Sequence, residues 1–171
     1  MRSMSNKIWD FLTGAKRPLA NTPILPVSEL KSRLLSLNRD TCPFVVRDGS
    51  DEKCDIVAEW KIVDAKWYQI FAKAGLKRIF KVCLKFNEAD HEVGALDKDF
   101  EIAWEAGIPR LSLSVSAFRG QKSEVSFGKA FAFKEDGDFG KVYEYHFNTG
   151  ELKKPLQEVI TGSGWVYRGK I

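Results

Sequence analysis

The side chains best suited to binding a ligand are aromatic and basic, and they gather toward the carboxyl end: Arg119, Lys122 and Lys129, then Tyr143, Tyr145 and His146, then Trp165 and Arg168. Turn signals separate the three groups, so consecutive hairpins could bring them to one end of a sheet. Such a surface suits a small anionic or aromatic ligand, or a protein partner, because arginine and aromatic side chains dominate binding hot spots. Burial in the core is the plainer use of the same residues.

Reactive chemistry has thinner support. His91 and His146 are the only two histidines, and neither stands at metal-binding spacing to another His or Cys, so no metal site is expected. An enzyme of hydrolase type would need His146 or a carboxylate as general base. Glu101 and Glu105 share one strand face and Glu59 points away from the side of Trp60, but cross-strand pairing with Lys61, Lys81 and Lys85 explains these acids better. There is no GxSxG elbow, no thiol in an activating context, and Gly162–Gly164 follows a helix where a phosphate loop would precede one. No cofactor is implied. The expectation is a non-enzymatic binding or interaction protein, with the hydrolase as the alternative.

A second candidate contact lies at the other end. Ile8, Trp9, Phe11 and Leu12 fall within a short amphipathic helix ended by Gly14, and the proline-punctuated stretch AKRPLANTPILP follows it. Arg2, Lys7, Lys16 and Arg17 flank the apolar patch. Residues 1–26 therefore read as a mobile basic arm that docks on the domain, on a protein partner or, weakly, on a membrane surface.

The elements that must position these residues occupy 27–171, read as one α+β domain. Its centre is CDIVAEWKIVDAKWYQIFAKAGLKRIFKVCLKF, residues 54–86. Ile56, Ala58, Trp60 and Ile62 alternate as a strand; Asp64 caps a helix of about three turns carrying Trp67, Ile70, Phe71 and Ala74; Gly75 ends it, and Leu76 folds back on Phe71. From Ile79 the period returns to two. Further strands follow, with a turn at Asp97–Asp99, an inward set of Leu111 and Leu113, and a helix whose first turn holds Pro155. The sum is a curved antiparallel sheet of about seven to nine strands, with an inserted helix after the Ile62 strand and a helix near the C-terminus.

Charge separates arm from body. Seven Lys or Arg stand against three Asp or Glu through Asp40, and twenty against twenty thereafter. A balanced body argues against a nucleic-acid face. Three cysteines, Cys42, Cys54 and Cys83, with no secretory signal favour a reducing, cytoplasmic setting, and no apolar run reaches transmembrane length.

The blocks VAEWKIVDAKWYQIFAKAGLKRIFKV, SLSVSAFRGQKSEVSFGKAFAF and GKVYEYHFNTGELKKPLQEVITGSGWVYRG resemble an uncharacterised family of small bacterial proteins. The resemblance runs from about Ser28 onward. It implies a bacterial, cytoplasmic protein and carries no activity to any residue.

Overall fold

The computed structural model describes residues 4–113 apart from 41, 63, 65, 66 and 74, and then 131–134, 142–145 and 149–170. In chain order the elements are α1 (Met4–Leu12), α2 (Val27–Leu35), β1 (Phe44–Asp48), a 3-10 turn (Ser50–Glu52), β2 (Ile56–Trp60), α3 (Tyr68–Lys73), β3 (Arg78–Asn87), β4 (Glu92–Glu105), β5 (Ile108–Leu113), β6 (Phe131–Lys134), β7 (Val142–Tyr145), α4 (Thr149–Gly162) and β8 (Val166–Gly169).

The fold is α+β with a largely antiparallel sheet. Strands β1 to β5 lie in sequence order, each antiparallel to the next, while β8 runs parallel to the first part of β4. The expectation of a single antiparallel sheet of about seven to nine strands is matched only in part. Among the described residues the main sheet has six strands and is mixed, and β6 and β7 form a separate two-stranded ribbon. The parallel pair is possible because β5, β6, β7 and α4 all intervene between β4 and β8, far more than the dozen or so residues a parallel connection needs.

Register assigns the faces. Ile56 stands opposite Leu84, and Leu84 opposite Ala95; on β8, Tyr167 stands opposite Val93. This face meets Leu30 and Leu34 from α2 and Leu152, Leu156 and Ile160 from α4 in one buried cluster that also holds Trp60, Trp67, Phe80 and Trp165. Fully burying each large apolar side chain contributes on the order of 1.5–3 kcal/mol, which is what fixes two amphipathic helices on one side of the sheet.

The opposite face carries charge. Arg47 Nε donates to Glu59 at 2.8 Å, and its other nitrogens reach Asp51 at 3.2 Å and Glu52. Lys81 and Lys98 also approach Glu52, at 2.7 and 3.7 Å. Glu59 and Lys81 are direct cross-strand partners, so strand register builds half of this cluster and the 3-10 turn supplies the rest.

Two expectations along β4 and β5 are corrected. Asp97–Asp99 is no turn: β4 passes through it unbroken, pairing Lys98 with Lys81 and Asp97 with Val82. Three consecutive charges survive inside a strand because each finds a distant partner: Lys153 reaches Asp97 at 2.5 Å, Glu52 lies near Lys98, and Arg78 lies 3.6 Å from Asp99. Leu111 and Leu113, expected to face inward, are exposed on β5.

Helices α3 and α4 end by one rule. At the close of α3, Gly75 takes φ +69°, its N–H donates to the Ala72 carbonyl at 3.1 Å, and the Leu76 N–H reaches back to Phe71 at 3.4 Å. That is the paired-bond ending in which a left-handed residue closes the last turn, and glycine meets it without Cβ strain. The helix itself is shorter than three turns as described, six residues, although the Trp67 N–H does donate to the Asp64 carbonyl. Helix α4 ends the same way at Gly164, with Trp165 N–H on Ile160. It begins well before Pro155, which therefore lies inside the helix and not in its first turn, with no N–H to offer the turn before it.

Candidate interaction surface

The nine residues of α1, MSNKIWDFL, divide sharply by angle. At 100° per residue Phe11, Met4, Ile8, Leu12 and Trp9 span an apolar arc of about 160°, while Asn6, Asp10 and Thr13 fall on the other side. Packing by the hydrophobic effect alone would turn the arc toward the body. The structure does the reverse. Thr13 is 1% exposed, whereas Phe11 is 84%, Ile8 57%, Leu12 54% and Trp9 52% exposed.

Charge explains the orientation. Arg17 donates to both oxygens of the Asp10 carboxylate, Nε to Oδ2 at 2.7 Å and Nη2 to Oδ1 at 2.8 Å. Arg168, from β8, donates to the same carboxylate at 3.1 Å, to the Thr13 hydroxyl at 3.2 Å and to Glu92 at 2.7 Å. The Arg17 hydrogen bond chiefly, with Arg168 adding to it against a partial burial penalty, lowers the Asp10 carboxyl to about 2. Asp10 is thus a carboxylate at any physiological pH, and a two-pronged guanidinium grip is strong and directional.

Backbone bonds continue the attachment. Helix α1 ends at Gly14, whose N–H donates to Phe11 while the Ala15 N–H donates to Asp10. The chain then exchanges two backbone hydrogen bonds with β8, Lys16 N–H to the Tyr167 carbonyl at 2.8 Å and Tyr167 N–H to the Lys16 carbonyl at 2.9 Å, and Gly169 N–H adds a third to Thr13 at 2.9 Å. Further on, the Leu25 N–H donates to Ser163, and the Trp165 indole N–H donates to the Leu25 carbonyl at 2.8 Å. Gly164, at φ +81°, lies so close to the Pro23 and Ile24 backbone that a Cβ there would collide with it. This is the stretch in which the sequence places a mobile arm; its described part covers the outer edge of β8. Leu19 and Ile24 on it are exposed.

Of the aromatic and basic residues singled out near the carboxyl end, Arg119, Lys122, Lys129 and His146 lie outside the described residues, and Tyr143 and Tyr145 are placed as backbone in β7, opposite Phe133 and Phe131. The other two have defined settings. Trp165 is buried, with the His91 ring edge-on at 5.4 Å. Arg168 is engaged by Asp10 and Glu92. Both face the amino-terminal segment, and both hold it.

The other shifted groups reflect pairing or burial within the fold. In the Arg47 cluster, burial pushes the Glu52 carboxyl up, but hydrogen bonds from Lys81 and Arg47 outweigh it and bring the group down to about 2. The Cys54 thiol is pushed up to about 12 by burial and by Cys83 beside it, which leaves almost no thiolate at neutral pH. The Tyr167 hydroxyl is raised by burial and by the Asp97 charge. Among the described residues no three His, Cys, Asp or Glu side chains gather as a metal site would need. None of their helices is long and apolar enough to cross a membrane.

Compared with known proteins, the chain matches no family model, no curated protein and no solved structure. The inside-out set of α1 is the feature sequence reasoning half found: Ile8, Trp9, Phe11 and Leu12 are visible as a patch, but the signal for its outward turn was Asp10, the acid between Trp9 and Phe11, together with Arg168 at the far end of the chain.

Proposed function

We propose that the protein is a peripheral membrane-surface module, an α+β body held against a lipid interface by α1. The observation that carries this is the outward apolar arc, in which Phe11 is 84%, Ile8 57%, Leu12 54% and Trp9 52% exposed among the described residues. A convex helix with singly protruding Ile8, Phe11 and Leu12 and an amphipathic Trp9 suits a fluid interface, where side chains sink without needing a shaped pocket. The ionic grip from below supports the reading, because it holds the helix flat on the body with the arc already turned out.

Co-flotation of the full chain with lipid vesicles tests it. The wild-type chain is expected to float, and Ile8→Asp with Phe11→Asp to stay behind with an unchanged far-UV spectrum and thermal midpoint, because both side chains are exposed in the folded state. Equal flotation of the two forms, or none by the wild-type chain on any vesicle, would sink the proposal.

A further inference from the structure

We infer that the lipid surface α1 meets is an anionic one, recognised through its net charge and not through a shaped headgroup site; this rests on the membrane reading above. The charge around the arc is lopsided. Residues 1–26 hold four basic side chains, Arg2, Lys7, Lys16 and Arg17, and one acid, Asp10. Asp10 is neutralised from two sides by Arg17 and Arg168. Glu92, which shares Arg168 with Asp10, is held by it at 2.7 Å and approached by Lys170 at 3.7 Å.

What is left for solvent is positive. Lys7 falls about 40° from Phe11 around the helix, at the rim of the apolar arc. It is exposed, as is Lys16 just beyond the helix end, and neither forms an ion pair among the described residues. An apolar arc with the exposed Lys7 at its rim, Lys16 just beyond the helix end, and Asp10 and Glu92 both held by arginine, complements a bilayer surface bearing negative headgroups. Short amphipathic helices bind neutral bilayers only marginally, so the cations decide which membrane retains the protein. Each lysine near an anionic surface strengthens binding roughly fivefold, so Lys7 and Lys16 together are worth about 25-fold. Recognition by surface potential needs only exposed positive charge near the arc, such as Lys7 and Lys16 present.

The experiment compares the full chain on phosphatidylcholine vesicles and on vesicles with about a third phosphatidylserine, each titrated with sodium chloride. Expected is strong retention on the anionic vesicles at 0.1 M salt, decaying toward the phosphatidylcholine level near 1 M as the screening length falls from about 10 to about 3 Å. Lys7→Gln with Lys16→Gln should lose about 25-fold on the anionic vesicles and change little on phosphatidylcholine. Equal, salt-insensitive binding to both vesicle types would overturn the charge inference while leaving the membrane reading in place. Absence of binding to either would remove both, and a self-associated or protein-bound form resistant to vesicles would point to a protein occupant of the arc and equally overturn it.

Discussion

Helices α1 and α4 share one pattern and use it in opposite senses. Helix α4 lays Leu152, Leu156 and Ile160 into the core and leaves Lys154 and Glu158 in solvent. Helix α1 sets Asp10 and Thr13 against the body and leaves Ile8, Trp9, Phe11 and Leu12 outside. An amphipathic period says that a helix has two faces; the surface it lands on decides which one is inward. Helix α4 lands on the apolar face of the sheet, and α1 lands on an arginine presented by β8. Even their endings follow this. In α4 the closing bond joins Trp165 to Ile160, two buried apolar residues, whereas in α1 it joins Ala15 to Asp10, the residue the arginines hold.

The comparison breaks most forcefully at Lys153, the one cation on the inward side of α4, paired with Asp97 where both side chains are nearly enclosed. Lys153→Met strips the nearest cation from a buried carboxylate and should cost about 3–5 kcal/mol in urea unfolding. Adding Asp97→Asn should recover much of that; a double variant no better than the single would show that the pair is not what the lysine provides. Next comes Leu156→Ala, for which about 2–5 kcal/mol is expected from lost burial and the cavity left behind. Both changes should lower the unfolding midpoint of the whole chain and leave vesicle affinity of the folded protein untouched, because neither residue touches α1.

Local order was legible wherever the cause was local. The alternation of Ile56, Ala58 and Trp60, the Gly75 ending and the fold-back of Leu76 on Phe71 all depend on residues within a few positions, and the core takes them as read. Misreadings cluster where the cause lies far off. Asp97–Asp99 has turn composition, and only Lys153, Glu52 and Arg78 make it a strand. The parallel set of β8 depends on pairing with β4 across β5, β6, β7 and α4. Leu111 and Leu113 alternate as inward residues do, yet β5 pairs beyond the region that α2 and α4 cover. For the candidate surface the apolar patch was visible, but its direction was written in Arg168, 158 residues from Asp10, and that residue looked like part of a ligand site.

The α1 side of the comparison is sharpened by acid, with a smaller and more local effect. The Asp10 carboxyl stands near 3.8 when unperturbed and is lowered to about 2 by Arg17 and Arg168, so it binds a proton more readily in the released helix than in the docked one. A depressed carboxyl contributes stability above its unperturbed value and loses it as the pH falls through the depressed one. The docked form of α1 should therefore be insensitive from pH 7 to about 4.5 and be released between about 4 and 2. Hydrogen exchange at Ala15, Lys16 and Gly169, corrected for the intrinsic rate at each pH, reads this directly. Glu52 is lowered into the same range and loosens the far face of the sheet in the same window, so the wild-type profile alone does not isolate the latch. Asp10→Asn does. It should raise exchange at those three amides already at pH 7, flatten their acid response, and leave the amides of β2 and β3 with the wild-type profile. If the variant kept the wild-type profile throughout, the backbone pair between Lys16 and Tyr167 would suffice to dock the segment, and the outward set of the apolar arc would need a cause other than the arginines.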